Sequence, residues 1–273
     1  MTFLQALLLG ITQGLTEFLP ISSTAHLILI PWLLEWALDP NAIFVFDVLV
    51  QLGTLAAVIL YFAKDLWRVA LAMLDGLRAR APFESGDARL GWLVIVATVP
   101  AAIVGLLLKT YFEALHQQPA LVATILLGAA VLFVVEHFSK HRRPLHSLTW
   151  RDAIIIGCSQ ALALLPGVSR SAATISGGLL LGLERPAAAR FSFLMSIPIM
   201  LAAGAVAVKD LFEIPNFAAY LPPFALAFVA AAVVGLLSIH WLLSYLAKRS
   251  MDIFAWYRLA FGLLCIAVAL LRG

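Results

Sequence analysis

Apolar residues in this chain run on for lengths that only a lipid bilayer calls for. Six segments, residues 42–63, 90–108, 119–136, 187–208, 218–246 and 253–271, each have the roughly 20 residues a helix needs to cross the hydrocarbon layer. A backbone in hydrocarbon must satisfy its own hydrogen bonds, and segments of this length do so as α-helices. Composition agrees: 63% of the 273 residues are hydrophobic and 12% charged, where soluble domains carry about 25% charged residues. The expected fold is an all-α polytopic membrane protein with six transmembrane helices, one membrane domain over residues 1–273.

Other classes drop out. The net charge of +3 does not come with a basic, aromatic-interleaved stripe, so no nucleic acid is expected as a partner. Cys158 and Cys265 lie in separate apolar segments and read as packing residues. His137, His141 and His146 surround a basic KHRRP loop without metal-ligand spacing. Neither a Walker-type glycine loop nor a dinucleotide fingerprint occurs, so no organic cofactor is expected. The N-terminus lacks a basic n-region and its apolar stretch carries Gln13 and Glu17, so a cleavable signal is not expected.

Two further apolar stretches, 2–36 and 152–184, are too long for one crossing and too short for two. The first breaks at FLPISST (18–24), the second at LLPGVSRS (164–171). Pro20 and Pro166 disfavour helix just before them, and the serines that follow suit the N-cap of a second half-helix. Each stretch therefore reads as a re-entrant helix-loop-helix pair, which survives at membrane depth only inside protein or beside a water-filled cavity. The chain also repeats. Phe46 matches Phe191, Lys64-Asp65-Leu66 matches Lys209-Asp210-Leu211, and AAIVGLL (101–107) matches AAVVGLL (231–237). Gln13 to Pro20 and Ser23 match Gln160 to Pro166 and Ser169 with one residue deleted. Residues 1–139 and 152–273 each hold one re-entrant pair and three spans. Three is odd, so the halves form an inverted-topology repeat. Lys and Arg concentrate in 64–89, in 140–151, at Arg185 and Arg190, and at Lys248 and Arg249, while the other side has Lys109, Lys209 and Arg272. The first side is expected to be cytoplasmic, with both termini outside, and the two tips should meet near the midplane.

Ionisable groups at membrane depth need a reason, and Glu17, His26 and Arg170 all lie at the two broken tips. Gln13 and Glu17 are four apart and share a helix face. Ser22, Ser23 and His26 open the next half-helix, with His26 within reach of either hydroxyl. In the second tip Gly167 permits the turn, Ser169, Arg170 and Ser171 open a half-helix, and Thr174 lies one turn on. Two helix N-termini make an anion site, and Arg170 adds a fork matched to phosphate oxygens. His26 suits proton transfer, and Glu17 could orient or deprotonate that histidine or hold a divalent cation. The bland alternatives are a Glu17 that only pairs with Arg170, a His26 that only braces its tip, and serines that are only caps. Asp47 and Gln51 share a face of a span and read as structural ahead of functional. Arg258 reads as pairing with a carboxylate or snorkelling.

QGLTEFLPISSTAH (13–26) and PGVSRSAAT (166–174) resemble the two signature regions of the undecaprenyl-diphosphatase family, the bacitracin-resistance type of membrane phosphatase. The first matches its (E/Q)xxxE element through Gln13 and Glu17; the second matches PGxSRSxxT in full. The likeness runs along essentially the whole chain. The phosphatidic-acid-phosphatase motif KxxxxxxRP is not found. The resemblance implies hydrolysis of undecaprenyl diphosphate to undecaprenyl phosphate and inorganic phosphate, at a site open to the extracytoplasmic side of a bacterial inner membrane. It implies catalytic roles for Glu17, Ser23, His26 and Arg170, and substrate contacts for Gln13, Ser22, Gly167, Ser169, Ser171 and Thr174. Ser23 is the serine proposed as nucleophile. Where the family often has glutamate this chain has Gln13, so Glu17 is the stronger acidic candidate. A divalent cation, magnesium or calcium, is implied, with Glu17 as its ligand. Expected partners are the polyprenyl diphosphate, the bilayer and a second copy in a homodimer. The competing class is a lipid or anion transporter using the same midplane pocket.

Overall fold

A computed structural model describes residues 1–108, 111, 115, 118–211, 218 and 221–272, without the side chains of 40–42 and 209–211. Lys109 and the side chains of Lys209 and Asp210, used in the charge and repeat arguments, lie outside the described residues. The described chain is helical throughout: α1 (Phe3–Thr16), α2 (Ser23–Leu33), α3 (Pro40–Tyr61), α4 (Ala63–Arg78), α5 (Gly86–Leu107), α6 (Pro119–Phe138, tightened to a 3₁₀ turn at Leu127–Ala129), α7 (Trp150–Leu162), α8 (Arg170–Leu180), α9 (Arg185–Leu211), α10 (Leu221–Leu246) and α11 (Asp252–Arg272). Six of them, α3, α5, α6, α9, α10 and α11, are long and apolar enough to cross a membrane. These are the six expected spans.

The four helices around the two breaks have 14, 11, 13 and 11 residues. At 1.5 Å per residue each falls well short of a ~30 Å hydrocarbon layer. Residue chemistry at the breaks explains why. Helix α1 stops at Thr16, four residues before Pro20, and α2 starts only after Ser22, whose φ of 74° is left-handed. Likewise α7 stops before Pro166, Gly167 turns at φ 101°, and Ser169 sits at φ 76° before α8. The two capping serines share a conformation and each accepts the amide three residues on. The structural counterpart of Ser169 is therefore Ser22. That corrects the register expected from the prolines by one residue: no deletion is needed between Gln13/Ser22 and Gln160/Ser169, and Ser23 stands where Arg170 stands.

Packing repeats too. Helix α1 lies on α10, and α7 lies on α5. A Cβ on Gly10 would sit 2.6 Å from the Ala227 carbonyl oxygen, and one on Gly157 would sit 2.4 Å from that of Ala97. Only glycine lets backbones come this close. Phe46 and Phe191, also matched in sequence, are both buried. The largest core cluster takes in Phe18 and Ile21 of the first break and Ala172, Ile175 and Leu179 of α8, with Phe18 edge-on to Phe193 at 5.4 Å.

The basic loop 64–89 contains a helix that the apolar-run reading did not foresee. Helix α4 has no buried residue, and Trp67, Leu71, Leu74 and Leu77 stand exposed along it. An amphipathic helix with an uncovered apolar face suits the membrane–water interface. Ion pairs gather on this side of the fold: Arg190 with Asp65, Arg185 with Glu136, and Arg143 with Asp152. Cys158, read as a packing residue, lies on an exposed face of α7, whereas Cys265 is buried.

Candidate active site

Helix α1 ends with the Glu17 amide still bonded to the Gln13 carbonyl at 3.0 Å. One turn apart, the two side chains meet: Gln13 Nε2 donates to Glu17 Oε2 at 3.0 Å and lies 3.3 Å from Thr54 Oγ1 on α3. The chain then reverses, and Ser23, the first residue of α2, donates its hydroxyl to the same Glu17 oxygen at 2.6 Å. From the other tip Arg170, the first residue of α8, donates Nη2 to Glu17 Oε1 at 3.0 Å. Ser171 Oγ donates to the Leu19 carbonyl at 2.9 Å and lies 3.1 Å from Ser169 Oγ, tying the tips together. Residues 153 positions apart thus converge on one carboxylate.

Glu17 is buried with both oxygens engaged, and its charge faces the Arg170 guanidinium. The guanidinium is not fully used. Its Nη1 is buried and has no hydrogen-bond partner among the described residues. Leaving a charged donor unpaired costs more than a typical hydrogen bond returns, so an anion is the natural complement. A cavity of about 190 Å³ opens here, lined by Glu17, Ser23, Gln51, Gly167, Ser169 and Arg170. Pockets for drug-sized ligands run to ~300–1,000 Å³, so this one has room for a headgroup and not for a long tail. The first residues of both α2 and α8 line it, so two helix N-termini offer amide N–H groups and positive dipole ends.

The remaining expected residues divide. Ser22 lines the cavity and its hydroxyl caps the Ala25 amide. Gly167 lines it as well; a Cβ there would sit 2.8 Å from the Val122 carbonyl oxygen, and φ is left-handed, so the position requires glycine. His26 turns away from Glu17 and both serine hydroxyls. Its Nδ1 pairs with the Ser22 carbonyl and its Nε2 with the Tyr257 hydroxyl, each at 2.7 Å, and its ring stacks on Phe261. Thr174 faces inward, donating to the Arg170 carbonyl at 2.8 Å and lying 2.6 Å from Ser192 Oγ.

Against expectation Arg258 pairs with no carboxylate among the described residues and does not snorkel: it is buried and donates Nη2 to the Gly167 carbonyl at 2.8 Å, bracing the second turn from α11. A carbonyl partner carries no residue-type signature, which is why spacing could not find it. Among the described residues no three His, Cys, Asp or Glu side chains gather as a metal cage. The donors that face the cavity, a carboxylate, hydroxyls and the Gln51 carboxamide, are oxygens, which suit a hard cation sharing its shell with phosphate.

Residues 6–264 match the family model described as "Bacitracin resistance protein BacA". Curated relatives are similar over nearly their whole length. An undecaprenyl-diphosphatase of Myxococcus xanthus is 44% identical over 98% of this chain and 89% of its own. One of Chlorobium phaeovibrioides is 42% identical over 97% and 96%. One of Anaeromyxobacter dehalogenans is 44% identical over 100% and 93%.

Proposed function

This chain belongs to the bacitracin-resistance BacA family, and from that membership we infer that it is a multi-pass membrane phosphatase that hydrolyses undecaprenyl diphosphate to undecaprenyl phosphate and inorganic phosphate. The product is the lipid carrier that cell-wall synthesis reuses. The observation that carries the reading at the level of chemistry is the half-used Arg170 guanidinium beside the Glu17–Ser23 hydrogen bond, in a cavity between two helix N-termini.

In this reading Arg170 and the amides of α2 and α8 clamp the terminal phosphate. Charge on its oxygens is then met by donors already in place, usually the largest catalytic contribution. Ser23 Oγ attacks the terminal phosphorus and passes its proton to Glu17 Oε2, the acceptor it already contacts. The bond to the bridging oxygen breaks, and undecaprenyl phosphate leaves with that electron pair and takes up the proton from Glu17, which restores the carboxylate. Water activated by Glu17 then cleaves the phosphoserine and frees inorganic phosphate. Gln13, held by Thr54, keeps Glu17 aimed. His26 orders the Ser22 turn through its Ser22 and Tyr257 bonds, a positioning role. A divalent cation, magnesium or calcium, would neutralise diphosphate charge when bound. Attack by water in place of Ser23 uses the same groups; a phosphorylated enzyme trapped by rapid quenching, and missing in Ser23→Ala, separates the two.

The matched glycine contacts and caps support reading 1–139 and 152–273 as inverted repeats with re-entrant pairs at 2–36 and 152–184. The basic side is read as cytoplasmic in a bacterial inner membrane, both termini outside, the cavity opening to the extracytoplasmic side. The deciding experiment is phosphate release by purified protein in detergent, where transport has no meaning, from a polyprenyl diphosphate with magnesium. Arg170→Ala should lower the rate by about 10²–10³ or more, the scale for losing one transition-state donor. No release by the wild type, or full activity in Arg170→Ala, rejects the reading.

A further inference from the structure

A polar stripe on α3 is left over by this chemistry. Asp47, Gln51 and Thr54 stand at i, i+4 and i+7, one face of the helix. Thr54 is buried and takes the Gln13 amide. Gln51, one turn back, lines the cavity. Asp47 stands one turn further out, about 6 Å along the axis. Its neighbours Phe46 and Val48 are buried on other faces, whereas Asp47 itself is exposed. Among the described residues its carboxylate makes no hydrogen bond or ion pair. A charge within an apolar span faces water in preference to lipid; Asp47 is not itself among the residues that line the cavity, but it shares a helix face with Gln51, which is.

The charges around the pocket are therefore unevenly matched. Glu17 is neutralised by Arg170, and both its oxygens already accept hydrogen bonds. Asp47 is unmatched among the described residues, and it stands one helical turn from Gln51, which lines the site for a ligand carrying two phosphates. Bare, it would repel that ligand. A hard divalent cation between them removes the conflict, since such ions take carboxylate and carboxamide oxygens and leave the rest of their shell to phosphate and water. We propose that the divalent cation is held by the Asp47 carboxylate, the Gln51 carboxamide oxygen and the substrate's diphosphate, and not by Glu17. The proposal rests on the phosphatase reading and divides labour within it: α3 supplies the cation, and the two tips supply Arg170 and the nucleophile.

The test uses full-length protein in detergent and Mn²⁺ as probe. Paramagnetic resonance follows Mn²⁺ in the presence of farnesyl methylenediphosphonate, a diphosphate that cannot be hydrolysed, with the protein-free mixture as blank. Wild type should immobilise the Mn²⁺ complex. Asp47→Asn, nearly isosteric, should weaken that by at least about tenfold, since even indirect supports of a metal are worth ~10–100-fold. Asp47→Glu should recover part of it, and a thermal melt shows that each variant is folded. In phosphate release Asp47→Asn should need about tenfold more Mn²⁺ for half-maximal rate. Glu17→Gln should lose turnover at every Mn²⁺ concentration while keeping the bound Mn²⁺ signal. Binding unchanged in Asp47→Asn, binding abolished in Glu17→Gln, or no protein-dependent signal in wild type each overturns the proposal. A wild type that binds Mn²⁺ but releases no phosphate sinks the phosphatase reading instead.

Discussion

Thr174 and Glu17 belong to the same pair of sequence motifs, yet their surroundings assign them different duties. Glu17 borders the cavity, whereas the Thr174 hydroxyl is spent on the Arg170 carbonyl and on Ser192. Thr174→Val keeps the volume and strands Ser192 Oγ in the core. It should cost about 1–3 kcal/mol of stability, the penalty of a buried unsatisfied group, and change kcat/KM less than tenfold. A melting curve and a rate on one preparation check both; a large rate loss without a change in melting would give Thr174 a direct role. Asp152 offers a pH test outside the six spans. Burial alone would raise its carboxyl pKa, but hydrogen bonds from Arg143 and Thr149 outweigh it and hold the carboxyl below the usual carboxylate range. The stability this gives is present above that range and disappears as pH falls through the lowered value. Wild type should therefore melt higher than Asp152→Asn at neutral pH, with the gap closing on acidification. A gap that grew as pH fell would contradict the assignment. What was legible at this scale was rarity: Gln13, Glu17 and Arg170 stood out because polar groups are scarce in apolar sequence. Which motif members face the pocket was not legible, because His26 and Thr174 are turned away by contacts to Tyr257 and Ser192, far off in the chain.

Elements were legible in proportion to their apolar length. The six spans announced themselves because each buries its own backbone in a continuous apolar run. Helix α4 did not, because its apolar residues occupy one face among basic ones. The register between the two broken stretches was misjudged because proline marks where a helix ends and the capping serine marks where the next begins. In the first tip these are two residues apart and in the second three. The helix contacts of the two halves allow a direct comparison. Gly10 against Ala227 and Gly157 against Ala97 are backbone contacts with no space for a methyl group. Gly10→Ala and Gly157→Ala should each destabilise by about 1–3 kcal/mol, the usual cost of overpacking. Gly128, with nothing near its added Cβ, is the control, and Gly128→Ala should be neutral or slightly stabilising. If Gly157→Ala melts like Gly128→Ala, α5 and α7 do not pack as described.

At the scale of the whole molecule, the placement of the two ends constrains how it sits in a membrane. Arg272, near the C-terminus, donates to the Trp32 and Leu33 carbonyls and pairs with Glu35 at 2.8 Å. Met1 belongs to the same apolar cluster as Trp36 and Leu38. Both ends therefore lie beside the α2–α3 connection, as an even number of spans requires. Glu84, in the turn after α4, is one span away from that connection, among the arginines. If Lys and Arg stay in the cytoplasm, the Glu35 end faces out. With Cys158 and Cys265 replaced by alanine, Glu35→Cys should react with a membrane-impermeant maleimide on intact spheroplasts, and Glu84→Cys should react only after lysis. Reaction of both from outside would deny that α3 crosses the bilayer. The reverse pattern would turn the molecule over, with the Glu35 end facing the cytoplasm.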